Sequence, residues 1–381
     1  MMTDRGNALK KGSAKLRVLH IVTVPLGMSG LPLFALRVGG AMTDVRADYL
    51  SYGIPDASAR ELVKEQGAEL YIAPHRLRHP IKYMHYVSNV IKNNRYDVVH
   101  CHGNSSTMFL DLVAAKLGGS AVRIAHSHNT RTGYPLLHII LKPLFHRSYT
   151  HAMACGKEAG EWLFQSRAFT IIPNGISAEL FHYDAATAAE VRQELAKDPN
   201  EHLIGWAGSF NIQKNLRFLL DVFTECHTAD PSLRLVLIGD GPQKDEILQI
   251  IRERALSDAV YCIGIRRDMP RLLMGMDAMV LPSLYEGFPT VALEWQCSGV
   301  TSFLSDTITP DCVLTSFVQR IPLEKDKWIE ALTHLPSLDR ALNSEDGICR
   351  VRDAGYDISS TAELLEALYL EYAGTYVKTN D

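Results

Sequence analysis

The sequence predicts an α/β protein made of two consecutive open parallel sheets, and three observations carry that reading. Its 381 residues exceed what one hydrophobic core ordinarily organises. Short apolar runs alternate with longer amphipathic stretches almost throughout, the βαβα rhythm of a parallel sheet with helices on both faces. The rhythm breaks once, at the turn-rich PNGISAELFHYD (Pro173 to Asp184), and then restarts. The boundary is therefore expected between Ile176 and Glu201, with a first domain over 16–185 and a second over 186–355.

In chain order, LRVLHIVTV (Leu16 to Val24) has the composition of a buried strand. A Gly-containing loop (Leu26 to Leu31) and a helix (Leu33 to Met42) follow it. Further strands are expected at Ala47 to Tyr52, Glu69 to Ile72, Asp97 to Cys101 and Arg123 to His126. Helices are expected at Ala57 to Gln66, Ile81 to Lys92 and Met108 to Leu117. After the break come a polar helix (Ala186 to Ala196) and strands at His202 to Trp206, Leu233 to Ile238, Ala259 to Cys262 and Ala278 to Leu281. Helices between and after them fall at Leu216 to Cys226, Lys244 to Glu253, Met269 to Met276 and Val291 to Cys297. A long helical pattern (Thr361 to Tyr376) closes the chain. Open α/β sheets bind ligands at the carboxyl ends of their strands, and two sheets facing each other would line one cleft.

Composition removes several classes. A formal net charge of -4 gives no global basic field for nucleic acid. Seven widely spaced cysteines with no CxxC argue against a disulfide framework or zinc ribbon and for a reducing compartment. The polar, basic stretch Met1 to Lys15 does not read as a signal peptide. No run approaches the roughly 18 apolar residues of a membrane span.

The strongest local signal is LPSLYEGFPTVALEW (Leu281 to Trp295). A strand ends, a turn carries Ser283, Glu286, Gly287 and Pro289, and a helix begins near Thr290 with Pro289 suited to its first position. Glu286 would lie at the sheet edge and Glu294 about one turn into the helix, whose N-terminus is a ready phosphate site. Two solvated glutamates would give the same spacing. In GWAGSFNIQKN (Gly205 to Asn215) a strand runs into a small-residue turn and Lys214, which can hold a phosphate or simply be a surface lysine. GDGP (Gly239 to Pro242) is a tight turn that reads equally as a ligand contact. VVHCHG and IAHSHN place His100, His102, His126 and His128 at two strand ends, each pair aimed to one face. They are read as cleft-lining histidines, with a metal site as the alternative. Two basic amphipathic stretches, Pro74 to Arg95 and Leu136 to Arg147, read as solvated faces or as a docking surface for anionic lipid.

Together these segments resemble the retaining glycosyltransferases of glycosyltransferase family 4, of GT-B fold, and within them the bacterial enzymes of exopolysaccharide and capsule assembly. The resemblance runs through YDVVHCHG (Tyr96 to Gly103), RIAHSHNT (Arg123 to Thr130), CGKEAGEWLF (Cys155 to Phe164), IIPNGI (Ile171 to Ile176), FNIQKN, GDGP, LYEGFPTVALEWQCSG (Leu284 to Gly299), SDTIT (Ser305 to Thr309) and GYDIS (Gly355 to Ser359). It implies two Rossmann-like domains facing each other across a cleft, with residues 356–381 packing back on the first. It implies a hexosyltransferase moving sugar from a nucleotide-sugar donor, expected to be a UDP-sugar, to a lipid-linked saccharide. The enzyme would be cytoplasmic, peripheral at an anionic inner-membrane surface, and without cofactor or metal.

Residue by residue, the resemblance gives Glu294 the donor ribose and Glu286 the transferred sugar. The segment Gly287, Phe288, Pro289, Thr290 and Val291 would cradle the diphosphate with Lys214. His126 would meet the donor sugar at the reacting centre, with His128 as alternative. Ser209 stands where many relatives carry Arg, and losing a charged phosphate contact costs roughly 1.5–3 kcal/mol if uncompensated. Ser29, Gly30 and Pro32 replace the usual acceptor-side Gly-Gly-x-Glu loop. These departures keep two alternatives open, a nucleotide-sugar-binding partner of weak catalytic power and another enzyme on the same architecture, such as an epimerase or phosphorylase.

Overall fold

The computed structural model describes residues 15–28 and 30–378, and thirteen parallel strands organise them. They divide into two units, one formed by the residues up to Asn174 with the helix from Ile358, the other by Gly175–Asp357. Val-, Ile- and Leu-rich strands buried on both faces produce all-parallel sheets rather than hairpins.

In the first unit the strands are β1 (Leu16–Val22), β2 (Val45–Tyr52), β3 (Leu70–Ala73), β4 (Val98–Gly103), β5 (Val122–Ser127), β6 (His151–Ala154) and β7 (Thr170–Ile171). They lie in the order β3-β2-β1-β4-β5-β6-β7. The order reverses between β1 and β4, where His20 pairs in register with His100 and Val22 with His102. One face of this sheet is closed by the helices Gly30–Ala41 and Ile358–Lys378. Ile358, Ala362, Leu365 and Tyr369 of the latter share a core with Val18, Val98 and Ile124. Glu366 is buried there, and its Oε1 accepts the N–H groups of Thr43, Asp44 and Val45 at 2.8, 2.7 and 3.0 Å. A carboxylate satisfied by three backbone donors ties the chain's last helix to the start of β2.

The second unit holds β8 (His202–Ala207), β9 (Leu233–Ile238), β10 (Val260–Gly264), β11 (Ala278–Leu281), β12 (Thr301–Ser305) and β13 (Val318–Ile321), ordered β10-β9-β8-β11-β12-β13. Here the reversal falls between β8 and β11. The division at 174/175 differs from the sequence-based 185/186. Ile176, Ala178 and Phe181 are buried in one core with Val191, Leu203 and Trp295, so the turn-rich connection packs on the second unit. The other crossing, at 357/358, also sits slightly later than 355/356. Tyr356 and Asp357 stay with the second unit because the Ile176 N–H donates to the Tyr356 carbonyl at 2.8 Å.

Candidate active site

At the reversal of the second sheet, two loops leave the carboxyl ends of β8 and β11 side by side. The β8 loop passes through Gly208 and the exposed Ser209, and Asn211 caps a short 3-10 turn, Ile212–Lys214, through its side chain. Lys214 thus closes a turn, and the helix begins after it at Leu216. The GDGP loop after β9 is pressed against this one. A Cβ on Gly239 (φ +144) would stand 1.8 Å from the Gly208 carbonyl oxygen, and one on Gly241 would stand 2.6 Å from the Phe210 nitrogen. Only glycine permits that approach, so GDGP has a packing reason besides any ligand contact.

The β11 loop carries Glu286. Its Oε1 lies 2.7 Å from Lys214 Nζ and its Oε2 accepts from Gln213 Nε2 at 3.0 Å. Gln213 Nε2 also donates to the Tyr285 carbonyl at 3.0 Å, and the Leu284 N–H donates to the Gln213 carbonyl at 2.8 Å. The lysine and glutamate side chains are only 16% and 10% exposed, so water screens their attraction less than it would a surface pair's, while burial sets a desolvation cost against it. Behind the loop, Ser305 Oγ and Thr307 Oγ1 both donate to the Ser283 carbonyl, at 2.5 and 2.8 Å. The eight-residue helix Thr290–Cys297 follows. Pro289 is its N-cap rather than its first helical residue. Glu294 is partly exposed one turn in, and the first N–H groups of this helix, without intrahelical acceptors, favour an anion. Phe288 stacks on Tyr356, ring centroids 4.8 Å apart. The structure therefore brings Lys214, Glu286 and the Gly287–Val291 segment together. Gln213, Tyr356 and the Ser305 and Thr307 hydroxyls lie in the segments FNIQKN, GYDIS and SDTIT, which by sequence alone gave these residues no individual role.

The first unit is different. His20, His100, His102 and His126 are fully buried and stack with His128 in one row across β1, β4 and the end of β5. Nδ1 of His20 is 2.8 Å from Nε2 of His102, and Nδ1 of His102 is 3.0 Å from Nε2 of His128. In parallel, the Tyr369 hydroxyl meets His100 Nδ1 at 2.5 Å, and His100 Nε2 is 3.1 Å from His126 Nδ1. Burial lowers every one of these imidazoles, His20 to about 4 and His128 to about 3, and the neighbouring rings add to the effect for His100, His102 and His126. The row thus holds two neutral hydrogen-bonded chains, His20–His102–His128 and Tyr369–His100–His126.

His126, the histidine expected at the reacting centre, is fully buried at the end of β5 with its ring edge-on to Phe34 at 5.6 Å, and its alternative His128 lies just past the strand, partly exposed. The sets His20/His100/His102 and His102/His126/His128 each bring one ligand nitrogen per residue within 4.8 Å, but a cation there would have to replace the imidazole–imidazole hydrogen bonds.

Other expectations also change. Arg76 is buried, not a surface base. Its guanidinium pairs with the buried Asp111, which also accepts from Tyr83, and donates to the Thr107 carbonyl at 2.7 Å. Gly30 does not lie in a loop; it opens the helix Gly30–Ala41 with φ +54. Pro32 is buried in the first turn, where its missing N–H has no acceptor to lose. Ser29 lies outside the described residues.

Residues 187–337 match the family described as Glycosyl transferases group 1, and residues 40–180 match Glycosyltransferase Family 4. The Bacillus subtilis glycosyltransferase named EpsF is 32% identical over 312 residues, covering 78% of this chain and 81% of that protein. The Escherichia coli UDP-Gal:alpha-D-GlcNAc-diphosphoundecaprenol alpha-1,3-galactosyltransferase is 22% identical over 95% of this chain and 99% of its own length. Among solved structures, Anabaena HepE in complex with UDP-glucose superposes with a TM-score of 0.69 at 18% identity, covering 95% of this chain and 98% of that one. Sucrose-phosphate synthase from Thermosynechococcus elongatus does so with 0.74 at 14%, covering 94% and 100%. Both show the fold. The chain is a glycosyltransferase of the GT-B class and belongs to glycosyltransferase family 4.

Proposed function

We propose that the protein is a retaining hexosyltransferase that moves sugar from a UDP-sugar to a lipid-linked saccharide during exopolysaccharide or capsule assembly. The observation that carries this is the Lys214–Glu286 pair at the carboxyl ends of β8 and β11, beside the open N-terminus of Thr290–Cys297. The E. coli relative is named for a UDP-sugar donor and a diphosphoundecaprenol acceptor, and HepE structures hold UDP and UDP-glucose; both support this reading.

In it, the backbone N–H groups of Phe288, Thr290 and Val291 and the Lys214 ammonium receive the diphosphate, and Glu294 accepts from the ribose hydroxyls. Released from Lys214, Glu286 turns to the hydroxyls of the transferred sugar, with Gln213 still orienting it. His128 faces the acceptor side. The acceptor hydroxyl attacks the anomeric carbon on the face from which UDP departs. The anomeric C–O bond breaks, its electrons pass to the leaving phosphate, and that phosphate takes the acceptor proton. Stabilising the leaving diphosphate is the protein's main contribution, and cation and helix terminus do so without a metal. The enzyme would work at the cytoplasmic membrane face as a peripheral protein; among the described residues no helix is long and apolar enough to cross a membrane.

The test is calorimetric titration with UDP without divalent cation, followed by transfer of labelled sugar from UDP-glucose, UDP-galactose and their N-acetyl forms to undecaprenyl-diphosphate saccharides. Binding of UDP with transfer is expected. UDP binding with no transfer or hydrolysis of any donor would favour the non-catalytic binding partner.

A further inference from the structure

The helix Pro135–Phe145 is inside out. A surface helix ordinarily turns its apolar stripe to the core. Here Leu136, Ile139 and Ile140 are 75%, 67% and 68% exposed, with Leu137 and Leu144 also exposed. The spacing 136, 139, 140, 144 puts them on one outward stripe. The inward side is held by Phe145, fully buried, and by a polar residue: His138 accepts from the Ser106 N–H at 3.2 Å and stacks on Trp162 at 4.7 Å. The helix is fixed with its apolar face outward, so the exposure is built in. Its setting is basic. No Asp or Glu occurs between Asp111 and Glu158, while Arg131 and Arg147 are exposed beside the helix and Lys142 lies within it, partly buried.

We infer that this helix inserts its apolar stripe into an anionic phospholipid bilayer, lying in the interfacial plane with the flanking bases at the headgroups. The inference rests on the lipid-linked acceptor proposed above and adds the anchoring element and its mode. Charge selects this occupant. A symmetric contact between two copies would set Arg131, Lys142 and Arg147 against themselves, whereas an anionic surface complements them. The exposed bases of the helix Pro80–Asn94 and its flanks (Arg78, Lys82, Lys92, Arg95) offer only electrostatic attraction, since Ile81 is the one large apolar residue of that helix that stands exposed among the described residues.

The experiment uses the full chain with vesicles of phosphatidylcholine, alone or mixed with phosphatidylglycerol. A Leu136→Trp variant is expected to shift its emission to the blue on anionic vesicles and to be quenched by lipids brominated on the acyl chains, with part of the signal surviving high salt. Ile139→Glu/Ile140→Glu is expected to reduce flotation with those vesicles at least about tenfold while leaving UDP affinity and donor hydrolysis unchanged. Flotation without quenching would mean electrostatic contact only and would overturn insertion. A native dimer that the double variant dissociates would identify a second copy as the occupant and would equally overturn it. If native protein failed to bind UDP yet the tryptophan was quenched, the transferase reading would fall and the membrane helix would stand.

Discussion

The first sheet carries five stacked histidines across β1, β4 and the end of β5, four of them fully buried. The second carries, at its own reversal, one cation, one carboxylate and two glycine-bearing loops. The same strand order therefore supports two kinds of polar site. In the second unit Lys214 and Glu286 are each other's partner at 2.7 Å, both partly accessible. In the first, the polar groups face the helices Gly30–Ala41 and Ile358–Lys378, where charge cannot be hydrated, and imidazole is tolerated there as a neutral donor and acceptor in one ring. A charged site suits an anion such as a diphosphate; a neutral row fixes the ring orientations of the members that end its two chains, His128 and His126.

The comparison is most easily broken by acid. The folded-state values of the row are depressed, so above about pH 6.5, the unfolded value, the histidines are neutral in both states and cost nothing. As pH falls below that, the unfolded chain takes up protons that the fold refuses, and stability is lost until the folded value is reached, about 4 for His20. Asp48 opposes the shift at His20 without cancelling it. Summed over the row, the loss should be on the order of several kcal/mol. Hydrogen exchange between pH 7.5 and 5 should show β4 and β5 losing protection well before β8 and β11; equal loss in both sheets would mean that the row does not control acid stability.

The next largest effect belongs to the charged site. Glu294→Ala should weaken UDP binding by roughly 10- to 150-fold, the 1.5–3 kcal/mol of hydrogen bonds to an ionised group. His128→Ala should lower transfer and leave UDP affinity alone. A calorimetric result in which His128→Ala weakens UDP as much as Glu294→Ala does would erase the division of labour.

Much of this was legible in the sequence, for a physical reason. Loops that must approach closely need glycine, so GDGP marked the end of β9, and the buried strands β1, β4, β5, β8 and β9 announced themselves as apolar runs. What escaped were features defined by a distant partner. β12 and β13 were not separately recognised, although Ser305 at the end of β12 matters for its bond to the Ser283 carbonyl. Arg76, in the turn before the helix Pro80–Asn94, read as a surface base because Asp111, its buried partner, lies 35 residues on in the helix Phe109–Leu117. His126 and His128 share strand phase, and Phe34 lies against both rings, at 5.6 and 5.2 Å; they differ in that His126 sits within β5 and is fully buried, whereas His128 lies just past it and is partly exposed. Gln213 is unremarkable in sequence until Glu286 is seen against it.

Gln213 sharpens the picture at smaller scale. It holds the Glu286 oxygen that Lys214 does not, so Gln213→Ala should leave UDP affinity within about twofold and lower kcat by about three- to tenfold, one partly exposed hydrogen bond to a carboxylate. Gln213→Glu should do worse, since it sets a second anion beside Glu286. If Gln213→Ala changed KM for the donor and spared kcat, the residue would be a binding contact and not a positioning one.

The smallest expected effect is none, on adding EDTA, and each unit supplies its own reason. In the second, Lys214 and the N–H groups opening Thr290–Cys297 would meet the diphosphate's charge in the proposed reading, and a divalent ion would have to compete with the ammonium for it. In the first, both ring nitrogens of His100 and of His102 are engaged, at 2.5–3.1 Å, and a metal bound at either candidate set, each of which includes His102, would forfeit one of those bonds. Turnover should therefore be the same with chelator as with added cation. Loss of activity restored by magnesium or manganese would place a metal at the donor phosphates and refute the lysine-and-helix account. Loss restored only by zinc would point to His102, His126 and His128, and would turn the neutral row from an orienting device into a metal site.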